Sequence, residues 1–191
     1  MKRLFDLVCV FFASIVFLPF FIAVYIAIKM EDGGPAIFKQ ERIGKGGKPF
    51  MLYKFRSMKV NAEGDGKPQL WAGDEDDRLT KVGRFIREHH LDELPQFWNI
   101  WKGEMSFVGY RPERQYFIDK IMKENPDYVK LYAMRPGVFS EATLYNGYTD
   151  TMEKMLKRLE MDLEYLEKQS LWLDITIIFK TGMSILTGKK F

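Results

Sequence analysis

The adjacent carboxylates Asp92 and Glu93 are the densest group of reactive side chains in the sequence. They lie in the stretch Leu91 to Gln96, just before an aromatic and aliphatic run, where a helix is expected to begin. The free N–H groups of a helix start attract anions, so a phosphate can bind there. One carboxylate can then attack phosphorus while the other holds a magnesium ion. The competing interpretation makes Asp92 an ordinary N-cap and Glu93 a complement to the helix dipole.

Basic residues surround this pair in sequence, several of them beside proline or glycine. Arg111 precedes Pro112 and Arg135 precedes Pro136, so both are held on a stiffened backbone suited to bidentate phosphate contacts. For any one of these cations the alternative is a solvated surface charge. The basic residues considered as partners of the pair are Lys54, Arg56, Arg84, Arg87, Arg111 and Arg135.

Three other segments are predicted to have no catalytic or ligand-binding role. His89-His90 is predicted as a surface pair, since the chain has no third histidine and only Cys9 as a thiol. The acidic run Asp74 to Asp77 is predicted to be a solvated loop rather than a cation site. The glycine-rich stretch from Gly44 to Lys48 lacks the spacing of a phosphate-binding P-loop and is predicted to be a turn.

Composition excludes several classes of protein. The 191 residues fit one ordinary domain with an appendage, and a hydrophobic content of 47% excludes a disordered chain. A net charge of +3 excludes a strongly basic nucleic-acid binder. A single cysteine excludes an intrachain disulfide framework.

The N-terminal residues 1–30 are predicted to form a membrane segment, separate from a soluble domain at 31–191. The apolar run from Leu4 to Ile28 would be roughly 37 Å long as a helix, enough to cross a hydrocarbon core. Pro19 removes a helical hydrogen bond and predicts a break. Basic residues flank both ends, which favours keeping both on the cytoplasmic side. Composition leaves a spanning and a re-entrant helix equally open.

The remaining periodicity predicts an α/β domain that is mostly helical, with small strands. Phe97, Trp98 and Trp101 would be core residues or an interfacial aromatic belt. The last helix would lie flat on a membrane or in the core. Residues 61–77 read as a surface loop. The predicted strands are Ala36–Gln40 and Phe50–Phe55, and the predicted helices are Leu79–His90, Asp92–Lys102, Arg114–Glu124, 151–168 and Leu171–Leu186.

Six segments, taken in order, resemble the bacterial sugar transferases, the small monotopic phosphoglycosyl transferases. The resemblance covers nearly the whole chain, and the ordered combination is specific although each segment alone is weak. Leu18-Pro19 stands where Ser-Pro is common, and Tyr110 replaces a usual proline. The matching segments are Tyr53–Met58, Leu79–Arg87, Leu91–Gln96, Gly103–Gly109, Arg111-Pro112 and Arg135–Gly137.

The resemblance implies transfer of a sugar phosphate from a UDP-sugar to undecaprenyl phosphate, with release of UMP. It implies that Asp92 is the nucleophile of a covalent phosphosugar intermediate and that Glu93 helps to bind Mg²⁺. It also implies a re-entrant helix broken at Pro19 and a recurring acidic position at Asp174. The phosphate-contacting residues that it implies are Lys54, Arg56, Arg87, Arg111 and Arg135.

The resemblance further implies a location on the cytoplasmic face of the bacterial inner membrane. The helix at 151–168 and the final helix leave surfaces for a homodimer. Two alternatives remain at this point: a membrane-anchored scaffold without activity, and a membrane phosphohydrolase in which water resolves the adduct. The sequence does not identify the sugar.

Overall fold

The computed structural model describes residues 1–60, 62, 76–147, 149 and 151–187. The predicted surface loop at 61–77 therefore falls outside the described residues except for positions 62, 76 and 77. The described part is mostly helical with two small sheets, in agreement with the predicted class.

Helix α1 (Lys2–Asp32) lies along the rest of the protein from end to end. Near its start, Asp6 is buried and accepts hydrogen bonds from the Ser106 hydroxyl and the Phe107 N–H. At its other end, Asp32 pairs with Arg56. Within the described residues, this is the one helix long and apolar enough to cross a membrane.

Pro19 does not end α1, which is helical on both sides of it and through it. The predicted break is therefore not seen as an interruption of the helix. Packing on either side of Pro19 offers a reason: the Phe17 ring contacts Phe97, and the Phe21 ring contacts Phe55. The two contacts hold both halves of α1 on the same domain.

Strands β1 (Ile37–Ile43) and β2 (Pro49–Phe55) form an antiparallel hairpin in which Ile37 pairs with Phe55. Both predicted strands are confirmed, and β1 extends three residues further than predicted. The glycine-rich stretch between them is a tight 3-10 turn at Lys45–Gly47, as expected from its composition.

Helix α2 (Lys81–Glu88) is followed by the acidic turn, the 3-10 segment Leu91–Gln96, and then by helix α3 (Phe97–Lys102). One helix from Asp92 was predicted, and the structure divides it. The N-cap interpretation of Asp92 is wrong, because His90 precedes the turn and the Asp92 carboxylate caps no helix. Gly103 ends α3 in a left-handed conformation, as predicted.

Five further elements complete the described middle of the chain. Strands β3 (Ser106–Val108) and β4 (Gly137–Phe139) form a short parallel pair that the sequence did not predict. Helix α4 (Gln115–Glu124) matches its prediction closely, and a 3-10 segment at Pro126–Ala133 follows it. A short helix α5 (Glu141–Asn146) begins after the Ser140 cap.

Helices α6 (Met152–Lys168) and α7 (Leu171–Leu186) confirm the last two predicted helices. In α7, Asp174 and Ile177 face inward while Trp172 and Phe179 are exposed. One face of α7 therefore joins the core, and the other is apolar and uncovered. That this uncovered face lies flat on a membrane stays a prediction. Helix α3 divides in the same way, with Ile100 buried and Trp98 exposed.

Candidate active site

Strand β2 aims Lys54 at the acidic turn. The Lys54 Nζ donates a hydrogen bond to Glu93 Oε1 at 2.8 Å and lies 3.6 Å from Asp92 Oδ2. Successive side chains of a strand point to opposite faces, so Tyr53 projects away from this side. Asp92 is 7% exposed, and its carboxylate is therefore screened from bulk water while remaining next to a cation.

Glu93 has a second cationic partner in Arg111, which follows β3. Arg111 Nη1 lies 3.3 Å from Glu93 Oε1. Burial alone would raise the pKa of the Glu93 carboxyl, but the charges of Lys54 and Arg111 outweigh it and hold that pKa well below its usual range. Glu93 is therefore ionised at neutral pH.

The acidic turn forms one wall of a pocket whose other walls come from α2, the β3–α4 connection and the α5–α6 region. The pocket brings together the acidic pair and three of the five predicted phosphate ligands. Its lining residues are Lys54, Arg87, His90, Asp92, Glu93, Arg111, Val138, Thr143, Gly147, Thr149 and Arg158.

The size and charge of this pocket suit a phosphate. Its volume is about 70 Å³, enough for several water molecules. Four cationic side chains line it against two carboxylates, so an anion is attracted despite the acidic pair. A ligand larger than a phosphate group has to extend beyond the pocket.

Arg158 contributes a cation that the sequence interpretation missed. Its Nη2 donates to Glu113 Oε1 at 2.7 Å, and its Nη1 donates to Thr149 Oγ1 at 2.8 Å. Arg42 Nη1 lies 3.1 Å from the other Glu113 oxygen. Burial alone would raise the pKa of the Glu113 carboxyl. The charges of Arg158 and Arg42 outweigh burial, so this pKa lies below its usual range and the carboxylate is charged. This buried network fixes the guanidinium at the pocket wall.

His90 is also part of the pocket wall, which corrects its prediction as a surface residue. It has a φ of 53°, in the left-handed region that non-glycine residues rarely adopt. Burial lowers the pKa of its imidazole, although Glu93 and Asp92 act in the opposite direction. The ring is therefore neutral at neutral pH. Its position two residues before Asp92 was the signal that the sequence offered.

Two predicted phosphate ligands lie away from the pocket lining. Arg56 pairs with Asp32 at the end of α1. The Nε of Arg135 donates to the backbone oxygen of Gly103 at 2.8 Å. In this arrangement Arg56 anchors α1 and Arg135 secures the end of α3. A phosphate contact by either residue stays a prediction.

Asp174 joins three helices rather than lining the pocket. It is 1% exposed, pairs with Lys2 of α1 and accepts a hydrogen bond from the hydroxyl of Tyr165 in α6. The observed contacts give this recurring acidic position a structural part, the attachment of the start of α1 to α6 and α7.

The acidic pair fits the protein share of a magnesium site. Magnesium is typically bound by one or two carboxylates together with substrate phosphates and water. Asp92 and Glu93 supply such carboxylates in a pocket of phosphate size. Among the described residues no cluster of three or more acidic, histidine or cysteine ligands forms a complete metal cage. The donor set therefore fits an ion held jointly with a phosphate ligand.

A family model for bacterial sugar transferases matches residues 1–188. The chain belongs to this family. The resemblance stated from the ordered motifs is thus confirmed.

Curated relatives carry names consistent with this family. A UDP-N-acetylgalactosamine-undecaprenyl-phosphate N-acetylgalactosaminephosphotransferase of Aeromonas hydrophila is 42% identical over 98% of the chain. UDP-glucose:undecaprenyl-phosphate glucose-1-phosphate transferases of Caulobacter vibrioides and Escherichia coli are 39% and 42% identical over 97% and 95% of it. The matches span 44%, 70% and 39% of those three relatives, respectively.

Proposed function

We propose that this sugar transferase moves a sugar phosphate from a UDP-sugar to undecaprenyl phosphate. The names of its relatives support the two substrates. The observation that carries the proposal is the acidic pair held opposite Lys54 and Arg111 in a cation-lined pocket of phosphate size. Such a pocket supports attack of a carboxylate on phosphorus, because its cations offset the repulsion between the two anions.

In the first step, a carboxylate oxygen of Asp92 attacks the phosphorus that bears the sugar. The bond from this phosphorus to the bridging oxygen breaks, and UMP leaves with that oxygen and its electron pair. Asp92 is then esterified to the sugar phosphate. Lys54, Arg87 and Arg111 are placed to neutralise the phosphate oxygens as charge moves to the leaving group.

In the second step, a phosphate oxygen of the lipid attacks the same phosphorus. The Asp92 ester bond breaks, the carboxylate is restored, and undecaprenyl diphosphate sugar is released. Two sequential displacements let a water-soluble donor and a lipid acceptor use one carboxylate at different times.

Glu93 is proposed to hold Mg²⁺ together with phosphate oxygens of the donor, and the bound ion supplies positive charge to those oxygens. Lys54 and Arg111 keep Glu93 ionised, the form that a metal requires. Glu93 Oε1 is the atom engaged by both cations.

We further propose a monotopic arrangement on the cytoplasmic face of the inner membrane. A straight α1 that crossed the bilayer would place its ends on opposite sides. Contacts at both ends argue against this, because Arg3 donates to the Ile100 backbone oxygen while the Glu31 carboxylate accepts from the Lys81 N–H. Both ends therefore belong on one side, with the uncovered apolar face of α1 turned to lipid as a re-entrant or in-plane helix.

The chemistry is tested by incubating the full chain with a panel of UDP-sugars and Mg²⁺ without lipid. We expect UMP in an amount stoichiometric with the protein and a phosphosugar adduct on Asp92, measured by intact-mass and peptide mass spectrometry. Asp92→Asn should abolish both. Asp119→Asn, at an exposed carboxylate on α4, is the matched control and should retain both.

Product analysis then separates the alternatives. Addition of undecaprenyl phosphate should convert the adduct to lipid-linked product. Free sugar phosphate in place of that product would identify a phosphohydrolase. Neither UMP nor adduct with any donor would favour a scaffold and contradict the proposal.

A further inference from the structure

A second cavity lies on the other side of the acidic turn from the pocket. It is an apolar groove of about 930 Å³ between α1 and α3, which we call the α1–α3 groove. Its walls are mainly aromatic and aliphatic, and several of them are exposed. The lining residues are Ser14, Phe17, Leu18, Phe21, Ile37, Lys39, Tyr53, Leu94, Pro95, Phe97, Trp98, Trp101 and Lys102.

The groove and the pocket share the backbone that separates them. In the acidic turn, Asp92 and Glu93 line the pocket while Leu94 and Pro95 line the groove. In β2, Lys54 lines the pocket while its neighbour Tyr53 lines the groove. At both positions the two cavities are only one chain thickness apart. A molecule in the groove therefore lies against the opposite face of the chain segments that carry Lys54 and the two carboxylates.

The polar edge of the groove is cationic. Lys39 and Lys102 lie on the Tyr53 ring, with their Nζ atoms 5.8 and 5.9 Å from its centroid. Lys102 also donates to Glu104, and both lysines are exposed. The remainder of the groove is apolar except for Ser14, whose hydroxyl accepts a hydrogen bond from Trp101 Nε1 at 3.4 Å. The occupant should therefore be a long hydrocarbon with an anionic end.

We propose that the α1–α3 groove binds the isoprenoid chain of the lipid phosphate acceptor. This inference rests on the proposed function and assigns the part of the chain that recognises the acceptor tail. The groove volume is near the upper end of the usual range for ligand sites. The charge at its edge complements a phosphate, and the acidic turn that carries Asp92 forms the wall between the groove and the pocket. A bulk phospholipid also has an apolar chain and a phosphate, but it takes no part in the proposed reaction at the acidic turn.

Leu18→Trp tests this assignment by adding bulk to the groove wall. The matched control is Ile15→Trp, because both are aliphatic residues on α1, 54% and 58% exposed, and Ile15 does not line the groove. We expect Leu18→Trp to raise the KM for undecaprenyl phosphate about tenfold, a change of about 1.4 kcal/mol. The KM for geranyl phosphate, a short-chain acceptor, should stay unchanged, as should UMP release without acceptor.

Two outcomes of this experiment would overturn the assignment. One is an equal effect of the two tryptophan variants on the undecaprenyl phosphate KM. The other is an equal effect of Leu18→Trp on the long and short acceptors. Failure of the wild-type chain to release UMP would contradict the proposed function instead, and the groove then needs a test that does not depend on activity.

Photocrosslinking provides that test. Benzoylphenylalanine at Leu18 or at Ile15 is irradiated in phosphatidylglycerol nanodiscs that contain undecaprenyl phosphate. We expect the lipid phosphate to be enriched in the Leu18 adducts relative to the Ile15 adducts and to its share of the bilayer. Phosphatidylglycerol adducts in bilayer proportion at both positions would show that bulk lipid fills the groove, and would overturn the inference.

Discussion

At the scale of single residues, the two cations that would bind an incoming phosphate already bind Glu93. Lys54 and Arg111 both contact Glu93 Oε1 before any ligand is present. A metal ion between this carboxylate and the phosphate would relieve the competition by giving Glu93 a cation of its own. With the proposed magnesium site, phosphate binding would therefore be linked to magnesium binding.

Glu93→Gln tests that link. The amide cannot supply the negative oxygen that magnesium prefers, so we expect the Mg²⁺ concentration for half-maximal UMP release to rise by more than about tenfold. The measurement is a magnesium titration at fixed UDP-sugar. Glu160→Gln, at an exposed position on α6, is the control and should leave the titration unchanged. An unchanged titration for Glu93→Gln would remove it from the metal site.

Asp162 makes stability depend on pH. Its burial raises the carboxyl pKa to about 7, despite the opposing charge of Arg158 and the hydrogen bond from Ser140. The folded state therefore binds this proton more tightly than the unfolded state, in which the pKa is about 3.9. The contribution of Asp162 is full below about pH 4 and is lost as the pH rises through 7.

Asp162→Asn should remove this dependence. We expect the unfolding free energy of the variant to rise relative to that of the wild type between pH 5 and pH 8, by about 3 kcal/mol. Urea unfolding in detergent at both pH values measures the difference. Asp119→Asn provides the exposed-carboxylate control. A pH-independent difference would show that the native pKa is not raised.

At the scale of elements, α2 packs so closely against the backbone of Ser57 that only glycine fits at position 83. A Cβ at Gly83 would lie 1.9 Å from the backbone oxygen of Ser57, which also accepts the Thr80 N–H. The Thr80 hydroxyl in turn accepts from the Gly83 N–H and caps the helix. This docking carries Arg87 to the pocket wall.

Gly83→Ala should therefore displace α2. We expect a loss of about 1–3 kcal/mol in unfolding free energy, together with a fall in kcat because Arg87 moves. Thermal unfolding and UMP release measure the two effects. Gly182→Ala on α7 is the matched control: nothing lies within 4 Å of its Cβ, and it should be neutral or gain up to about 1 kcal/mol in helix propensity. Equal stability of the two variants would contradict the tight seating.

The sequence predicted where the helices lie better than which of their residues are buried. Helix α6 was correctly placed by its leucine periodicity, yet the buried face includes Arg158 and Asp162. Charged residues at inward positions have no apolar signature, and only the tertiary partners Glu113 and Ser140 explain them. Strands β3 and β4 have three residues each, too few for a periodic pattern.

The sequence predicted the acidic pair and some of the cations beside it, but not the full set of residues that line the pocket. Lys54, Arg87 and Arg111 meet the acidic pair as expected. Arg56 and Arg135 share the same local signature, a cation in a recurring segment, but the fold commits them to Asp32 and to the Gly103 carbonyl. Which of several similar arginines reaches a pocket depends on long-range packing that sequence spacing does not encode.

At the scale of the whole molecule, α1 packs against the domain at several points along its length and is not an anchor attached at one end. At about 46 Å long, it contacts the domain near its start through Asp6, near its middle through Phe17 and at its end through Asp32. Its outward face remains apolar, with Phe12 61% exposed. The acidic turn packs beside this helix, so the depth of α1 in the bilayer also sets the depth of the active site.

Cysteine labelling tests this topology in a Cys9→Ser background. One reporter is a cysteine inserted after Met1, ahead of the helix, and the other is Met30→Cys, at a position 81% exposed. In sealed inverted membrane vesicles, whose cytoplasmic face points outward, a membrane-impermeant maleimide should label both reporters. A third reporter, Phe12→Cys, should react only after detergent is added, because its position faces lipid. Labelling of only one end in intact vesicles would mean that α1 spans the bilayer, and the contacts that join both of its ends to one domain could not then exist in the membrane.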